Sequence, residues 1–525
     1  MGIFRFVYFL EPQQTVVEQN PKSNRGLGIS IFTGKIAGNS LTFVVRWFFR
    51  KWACLRLTTL LETTMSKHIL FFLTFLLCWS GFVAIAAEVE RPNIVIIIVD
   101  DLGWGDLSCY GGPNINTPHI DTLAADGLRF TRFRANSSVC SPSRAALLSG
   151  MYPDRTGVPG VIRTDETDSC GFLLQPESLT TLPEALQKVG YTSAHIGKWH
   201  LGLESPNLPN QRGFDFFHGF LGDMMEDYWN HLRHGINYMR RDEEIIHPEG
   251  HATDLFSDWA CEYLKERATK KEEPFFLYLS YNAPHDPVQP PPDWFERIKQ
   301  REPDVSENRA KLIALIEHLD DGVGKVLQTM KETGLDKNTL LFFLSDNGGP
   351  LNTEAFNGPH RDGKGTMYEG GLAISCLARW PGKIAPGTVS EAQGVQMDLF
   401  PTVLEVAGVD LETARGPIFV QQLDAISLLD VLTGKAAKLP DRPLYFVRRE
   451  ASWYFGMKTN EALIDGGWKI LQNTPFSPRE LYNLNDDPLE TTDLSQKSRQ
   501  EFMRLDAKLR HHIQEGGRVP WMPPR

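Results

Sequence analysis

The chain has 525 residues, 42% of them hydrophobic and 23% charged, with a formal net charge of −11. That composition belongs to a globular protein with room for one large domain and a smaller one. The acidic balance argues against a nucleic-acid partner, which calls for a basic face.

Residues 1–64 are aromatic-rich and mildly basic, without regular patterning, and read as a spurious extension ahead of Met65. From there MSKHILFFLTFLLCWSGFVAIAAEVE has a basic start at Lys67 and His68 and an apolar run from Ile69 to Ile85. The small-x-small pattern Ala84-Ile85-Ala86 closes it. That order is a secretory signal peptide over 65–86. Cleavage is favoured over a membrane anchor because Glu88, Glu90 and Arg91 follow at once, and Leu77 before Cys78 does not suit lipidation. The mature chain is expected to begin near Ala87 and to be exported, periplasmic or extracellular, without stable membrane insertion. Processing removes Cys54 and Cys78 and leaves Cys109, Cys140, Cys170, Cys261 and Cys376. An odd number leaves at least one outside any intramolecular disulfide. The lack of a CxxC pair argues against zinc at its usual spacing.

NIVIIIV (93–99) is the first strand. TPHIDTLAADG follows as a helix with Thr117 as N-cap, Pro118 in the first turn and Gly127 as the stop. In SSVCSPSRAALLSG, Pro142 fits a first turn and AALLSG carries a helix to Gly150. SLTTLPEALQKVG is a helix ending at Gly190, and YTSAHI (191–196) and PFFLYLSY (274–281) are strands. SENRAKLIALIEHLDDGVGKVLQTMKETG is a long amphipathic helix capped by Ser306 and closed by Gly334. TLLFFLS (339–345) and LAISCLA (372–378) complete the strands. Short unbroken apolar runs are buried on both faces. Their alternation with helices predicts an α/β domain over 87–415, with a mixed, mostly parallel sheet flanked by helices. Over 416–525, WYFGMKT, GWKILQ and RELYNL are expected as half-buried antiparallel strands, followed by a helix from Ser495 to about Glu515. That makes a smaller C-terminal domain.

In open α/β sheets, ligands bind beyond the carboxyl ends of the strands. Asp100-Asp101 follow the first strand; Lys198 and His200 follow YTSAHI; His285 follows FFLYLSY; Asp346-Asn347 follow LLFFLS. Lys364 precedes the last strand, in HRDGKGTMYEGG. Singly each is an ordinary loop residue; jointly they make a site. Asp100, Asp101, Asp346 and Asn347 are hard oxygen donors that suit Ca²⁺ or Mg²⁺ better than zinc or copper. Three carboxylates without a cation would repel. A divalent cation flanked by Lys198, Lys364, His200 and His285 is a receptor for a tetrahedral oxyanion ester. Cys140 falls at or just before a helix N-terminus, whose dipole lowers a thiol pKa and attracts anions, with Arg144 one turn on. An inert buried cysteine is the rival reading, against a local sequence too polar to favour burial.

Cys140-Ser141-Pro142-Ser143-Arg144, followed by Leu148-Ser149-Gly150, resembles the C-x-P-S-R signature of type I sulfatases, in the alkaline phosphatase superfamily. Asp100-Asp101, GKWHLG, the APH of His285, DNGG and the GK…YEGG run match in order over roughly 91–400, and LYNLNDDPLETTDL (481–494) is also family-like. The resemblance implies an alkaline-phosphatase-like α/β domain with a small C-terminal antiparallel sheet. It implies that Cys140 becomes Cα-formylglycine by the oxygen-dependent route, through a formylglycine-generating enzyme. Asp100, Asp101, Asp346, Asn347 and residue 140 would hold Ca²⁺. Arg144 would steady the hydrated aldehyde, while Lys198, His285 and Lys364 would grip sulfate and assist the leaving oxygen. The hydrate offers two hydroxyls on one carbon: one attacks sulfur, with Asp346 taking its proton, and the other loses its proton to His200 and expels sulfate.

The function implied is an exported sulfatase acting on a sulfated small molecule or polysaccharide. A phosphonate or phosphate ester hydrolase and a non-catalytic glycan-binding protein are the rival readings. The stretch from Glu204 to His251 is expected to loop over the site. Arg233, His231, His234 and Arg240 could contact a sulfated sugar, or be solvated surface. Asn136-Ser137-Ser138 matches a glycosylation sequon and is read as coincidence.

Overall fold

The computed structural model describes residues 91–164, 179–270, 272–450 and 458–519, and the backbone of two strands, Ile31–Ile36 and Asn39–Val44. The signal-peptide reading over 65–86, and Cys170, fall outside the described residues. The chain divides into two compact units, Met1–Glu88 and Val89–Arg525. In the first, the two strands pair antiparallel, Ile31 opposite Val44.

The second unit is α/β, built on a ten-stranded sheet. In chain order its strands are β1 (Asn93–Val99), β2 (Leu128–Phe130), β3 (Thr192–Lys198), β4 (Phe216–Phe220), β5 (Met239–Arg241) and β6 (Glu244–Ile245). Then come β7 (Phe275–Ser280), β8 (Thr339–Ser345), β9 (Cys376–Arg379) and β10 (Thr388–Ser390). Across the sheet the order is β6-β5-β4-β3-β7-β1-β8-β9-β2-β10. The middle five, β4 to β8 in that order, run parallel. β9 turns antiparallel to β8, with Leu344 opposite Cys376.

Both faces of the centre are covered, which is why β1 and β8 read as unbroken apolar runs. Val95, Ile97 and Val99 pack toward α4 (Ala252–Arg267) and α6 (Glu307–Thr333), in a core that α5 (Pro292–Arg301) joins through Ile298. Ile94, Ile96 and Ile98 face α2 (Cys140–Ser149), α3 (Leu182–Gln187) and α7 (Leu399–Val406). Each such side chain, fully buried, contributes about 1.5–3 kcal/mol. Helix α6 keeps the expected ends: Ser306 Oγ accepts from Arg309 N at 3.0 Å, and Gly334 sits at φ 74°. Helix α1 (Pro118–Ala125) is capped differently from the expectation. Thr117 turns its hydroxyl to Ser108 and Asp121, and Asp320 of α6 accepts from His119 N and Ile120 N instead. Helix α3 stops at Gln187, three residues short of Gly190, with a capping box between Thr181 and Glu184.

LAISCLA is only partly a strand. Leu372 ends a short helical turn, Glu369–Leu372, and β9 begins at Cys376. Only glycine fits at 370 in this turn: its N donates to Arg361 O, and a Cβ there would lie 2.0 Å from Asp362 O. The C-terminal segment forms an antiparallel meander of β11 (Leu444–Arg449), β12 (Thr459–Asp465), β13 (Trp468–Gln472) and β14 (Glu480–Asn483). WYFGMKT lies mostly in 451–457, outside the described residues, and only Thr459 joins a strand. The last helix, α8 (Arg499–Gly516), starts four residues after Ser495, whose hydroxyl is held by Asp493 at 2.9 Å. Leu505 and Leu509 of α8 share a core with Phe446, Leu463 and Ile470, and with Ala146 and Met367 from the large-sheet side.

Candidate active site

The parallel strands deliver the polar residues to one edge. β1 runs into Asp100 and Asp101, β8 into Asp346 and Asn347, and β7 into the turn that carries His285. Lys198 is the last residue of β3, which extends two residues beyond YTSAHI. Asp100 N donates to Ala283 O and Asp346 N to Val99 O, locking the three strand ends together. Asp101 (φ 71°) and His200 (φ 59°) both hold the left-handed conformation that non-glycine residues avoid. Such strain persists where the surroundings over-determine it, and it clusters at functional sites.

Cys140 opens α2, and its Sγ donates to Asp100 Oδ1 at 3.3 Å. Arg144, one turn on, is buried and holds Asp346 Oδ2 through Nε (3.0 Å) and Nη2 (2.8 Å). Its Nη1 donates to Ser280 Oγ and to Lys198 O. Lys198 Nζ pairs with Asp100. Lys364 Nζ donates to Asp101 Oδ2 at 2.7 Å and stands 3.1 Å from His285 Nε2. His285 Nδ1 donates to Asp286 O at 2.6 Å, which orients the ring so that Nε2 faces Lys364 and, at 3.4 Å, Asp101 Oδ2. Asn347 Nδ2 donates to Asp101 Oδ1 at 2.7 Å, leaving Asn347 Oδ1 buried without a partner. His200 lies beside this cluster. Its Nε2 pairs with Ile162 O at 2.8 Å, and its Nδ1 is buried and unpartnered.

The charges oppose one another strongly. Burial raises the Asp100 carboxyl, but Lys198, His285, Arg144 and Lys364 outweigh it and hold it well below its usual range. Burial and then Asp100 push Asp346 up to about 7, against Arg144. Burial, with Lys198 and Arg144, pushes His200 well down. Two expectations about Cys140 are corrected. The residue is 2% exposed, within a helix buried along its whole length. Its thiol is pushed up rather than down, because burial and then Asp100 outweigh Lys364 and Lys198.

Above Cys140 opens a cleft of about 420 Å³, lined among others by His200, His285, Lys364, Arg163 and Arg448. The predicted sugar contacts do not line it. Arg233 pairs with Asp223 and Glu226, and His234 with Glu226; His231 bonds Gly250 O, and Arg240 bonds Asn237 O. The segment that should have looped over the cleft instead extends the sheet as β4, β5 and β6, and gives the cleft Asp223 and Met224. Asn136 of the sequon is fully buried and its Oδ1 accepts from Met397 N, so it offers no glycosylation site. Cys109, Cys140, Cys261 and Cys376 are all unbridged. Sequence reading missed Ser280 and Gln396. Ser280 Oγ donates to Lys198 O, and Gln396 Nε2 donates to the carbonyls of Ser345 and Asp346. Ser280 could have been found as the last residue of an apolar strand; Gln396 carries no local signal.

Residues 92–409 match the Sulfatase family model, and residues 361–517 match the model for N-sulphoglucosamine sulphohydrolase, C-terminal. The chain is 34% identical over 381 residues to N-acetylgalactosamine-6-sulfatase of Homo sapiens, covering 68% of this chain and 69% of that protein. It is 34% identical over 390 residues to Arylsulfatase A of Homo sapiens, covering 69% and 71%. The solved Ps i-CgsB, in complex with k-i-k-neocarrahexaose, superposes with a TM-score of 0.73 at 28% identity, over 82% of this chain and 95% of that one. The PsFucS1 sulfatase from Pseudoalteromonas sp. gives 0.68 at 27% identity, over 88% and 96%. Fold and cleft together define an enzyme of the alkaline phosphatase superfamily. Within it the chain belongs to the sulfatase family, and it is a sulfuric ester hydrolase.

Proposed function

We propose that this enzyme removes sulfate from a sulfated carbohydrate, using residue 140 after its conversion from cysteine to formylglycine, and a bound Ca²⁺, with Mg²⁺ as the alternative. The observation that carries the reading is the meeting of Cys140 with three buried carboxylates, two lysines and a histidine, with Cys140, Lys364 and His285 of that cluster lining one cleft. The N-acetylgalactosamine-6-sulfatases and the neocarrahexaose complex among its relatives support carbohydrate as the substrate class.

The donor set fits a hard cation. Asn347 Oδ1 is a buried oxygen with no partner, adjoining carboxylates that otherwise lean on lysines. Asp100, Asp101, Asp346 and Asn347 would hold the ion with residue 140, and the ion would supply Lewis acidity toward a sulfate oxygen. A formylglycine hydrate would supply a hydroxyl nucleophile with a built-in way to release sulfate.

The remaining work falls to the chain itself. Arg144, fixed by Asp346, Ser280 and the Lys198 carbonyl, orients the first turn of α2 and so residue 140. Lys198 and Lys364 present ammonium groups to the equatorial sulfate oxygens. Lys364 and His285, 3.1 Å apart, share a proton that can pass to the leaving oxygen. Asp346 takes the proton of the attacking group. His200, its tautomer fixed by Ile162 O, receives a proton at Nδ1 in the second half of the turnover. Export through the 65–86 signal peptide and maturation by a formylglycine-generating enzyme belong to the same reading, as does a boundary near residue 415. Among the described residues no helix is long and apolar enough to cross a membrane.

The test is the mass of the tryptic peptide Ala135–Arg144 from protein made in a host that forms formylglycine. An aldehyde mass, confirmed by hydrazine capture, is expected. An unmodified thiol in protein that still hydrolyses 4-nitrophenyl sulfate would overturn the reading.

A further inference from the structure

The leaving-group side of the cleft depends on where one imidazole points. His285 lies in the turn 282–287 that follows β7, where its N donates to Asn282 O at 3.0 Å and its Nδ1 to Asp286 O at 2.6 Å. Those two contacts fix the ring only relative to its own turn. Two carbonyls of the turn accept hydrogen bonds from outside it. Asp100 N donates to Ala283 O at 3.1 Å, and the Tyr228 hydroxyl donates to His285 O at 2.9 Å. The second bond is the only one made by a side chain, and it ends on the residue whose ring faces Lys364.

Tyr228 comes from the segment between β4 and β5 and is 1% exposed. It is held at every point. Its N donates to Gln289 Oε1 at 2.9 Å, and its O accepts from Ala252 N, the first residue of α4, at 2.9 Å. Its ring stacks on His251, with centroids 5.0 Å apart and planes 22° from parallel. His251 in turn caps α4: its Nδ1 accepts from Thr253 N at 3.2 Å, and its Nε2 donates to Gln289 O at 3.0 Å. Burial, then the charges of Asp100 and Asp101, push the phenol well above its ordinary range, so the hydroxyl keeps the proton it gives to the carbonyl. A buried tyrosine needs some partner for its O–H. A stacked ring seated on a helix start and ending on the His285 carbonyl also leaves that carbonyl little freedom to move. Catalytic groups work only when held within about 0.5 Å of the productive position by packing and hydrogen bonds of this kind.

We propose that Tyr228 is a positioning residue, which through the His285 carbonyl sets where the imidazole stands relative to Lys364 and the leaving oxygen. This rests on His285 and Lys364 acting on that oxygen. As the S–O bond breaks, its electron pair stays on the alcohol oxygen, which takes a proton from the Lys364–His285 pair and departs as the neutral alcohol. The sulfuryl group passes to residue 140. Proton delivery matters most for a poor leaving group and little for 4-nitrophenolate, which departs readily as the anion. The Tyr228 hydroxyl therefore governs how steeply the rate depends on the leaving group, rather than the rate for every substrate alike.

The experiment measures kcat/KM, which reads the steps through departure of the alcohol, for aryl sulfates ranging from 4-nitrophenyl to 4-methoxyphenyl. It compares the matured parent enzyme with Tyr228→Phe and His285→Ala. Tyr228→Phe removes the hydroxyl and keeps the ring against His251. It should lower kcat/KM less than about twofold for 4-nitrophenyl sulfate and about tenfold for 4-methoxyphenyl sulfate. Inhibition by inorganic sulfate should stay within about twofold of the parent, because the groups that grip sulfate are untouched. His285→Ala should steepen the series further. A smaller folded fraction scales every substrate equally, so it cannot imitate a change of slope. If His285→Ala steepens the series while Tyr228→Phe lowers all substrates alike, or none, the proposal is overturned and the role of His285 stands. A series that neither substitution steepens overturns the role of His285, and the proposal with it.

Discussion

At the junction of the two sheets Arg134, Glu369, Lys469 and Glu490 alternate in sign, whereas at the strand ends Asp100, Asp101 and Asp346 crowd within reach of Arg144, Lys198 and Lys364. The junction pairs each charge with an opposite one inside the protein, although burial, and then Glu369, keep the Glu490 carboxyl raised against Lys469. Arg134 meets Glu369 at 2.8 Å, and Lys469 meets Glu369 and Glu490 at 2.8 Å each. Burial alone would raise the Glu369 carboxyl, but Arg134 and Lys469 hold it far down, as expected of a charge whose partners are all inside the protein. The cleft cluster does not close. Asn347 Oδ1 and His200 Nδ1 have no partner, and two of its residues sit in left-handed backbone. Its lysines lean on the carboxylates, yet one carboxyl, Asp346, is still pushed up to about 7. One cluster joins two layers of the fold. The other stores unmet hydrogen-bonding capacity and charge, which a ligand would satisfy.

The widest separation between the two should come from single substitutions. Cys140→Ala should lower kcat for 4-nitrophenyl sulfate by at least ~10⁴-fold while leaving the circular dichroism spectrum unchanged. Residual turnover within tenfold of the parent would mean that the cleft cluster does not act through residue 140. Lys469→Met should do the reverse. It strands Glu369 with one cationic partner and leaves Glu490 with no cation, only the Glu369 N–H at 2.7 Å, at a cost of about 3–5 kcal/mol by urea unfolding. The folded fraction should keep its KM. If Lys469→Met left the unfolding midpoint in place, the junction would not be the structural cluster it looks like. Calcium divides the two sites again. In EGTA-treated protein, Ca²⁺ at a hundred times its Kd should add about 2.7 kcal/mol and raise Tm by several degrees. The same increment should persist in Lys469→Met and vanish in Asp101→Asn. A Tm indifferent to Ca²⁺ and Mg²⁺ would count against the cation.

How much of this could be read in the sequence depended on whether the signal was local. Strands β1 and β8 were legible at their expected bounds because both faces are covered, so Ile94–Val99 and Leu340–Leu344 are unbroken apolar runs, and Asp or Asn pairs follow them. Helix α6 was legible through Ser306 and Gly334, which act on their own helix. Strands β11 and β12 were not, since Arg448, Arg449 and Glu461 break the apolar pattern and are tolerated only because they pair with one another and with Asp154 and Glu450. The cleft residues that lie at strand ends could be named from sequence, because the sheet brings all such ends to one edge. Arg163, Arg448 and Gln396 could not, since their place depends on how the small sheet and the loops pack against that edge.

His195 offers a gentler probe of the boundary between the cleft and the core. It lies on β3, three residues before Lys198, fully buried among Trp199, Phe214, Phe217 and Tyr278. Its Nε2 faces Lys198 O at 3.2 Å. Burial first, and Arg144 second, push it down to about 3. The unfolded chain takes up this proton near pH 6.5 and the folded chain only near 3, so the unfolded state binds more protons in between and stability falls as pH drops through that window. At about 1.4 kcal/mol per unit, the loss reaches about 2 kcal/mol at pH 5. His195→Phe should flatten the dependence of unfolding free energy on pH between 6.5 and 5, measured by urea titration, with little change at pH 8. An unchanged slope would place the acid sensitivity in other buried histidines, such as His218 and His251, which burial also pushes down to about 4.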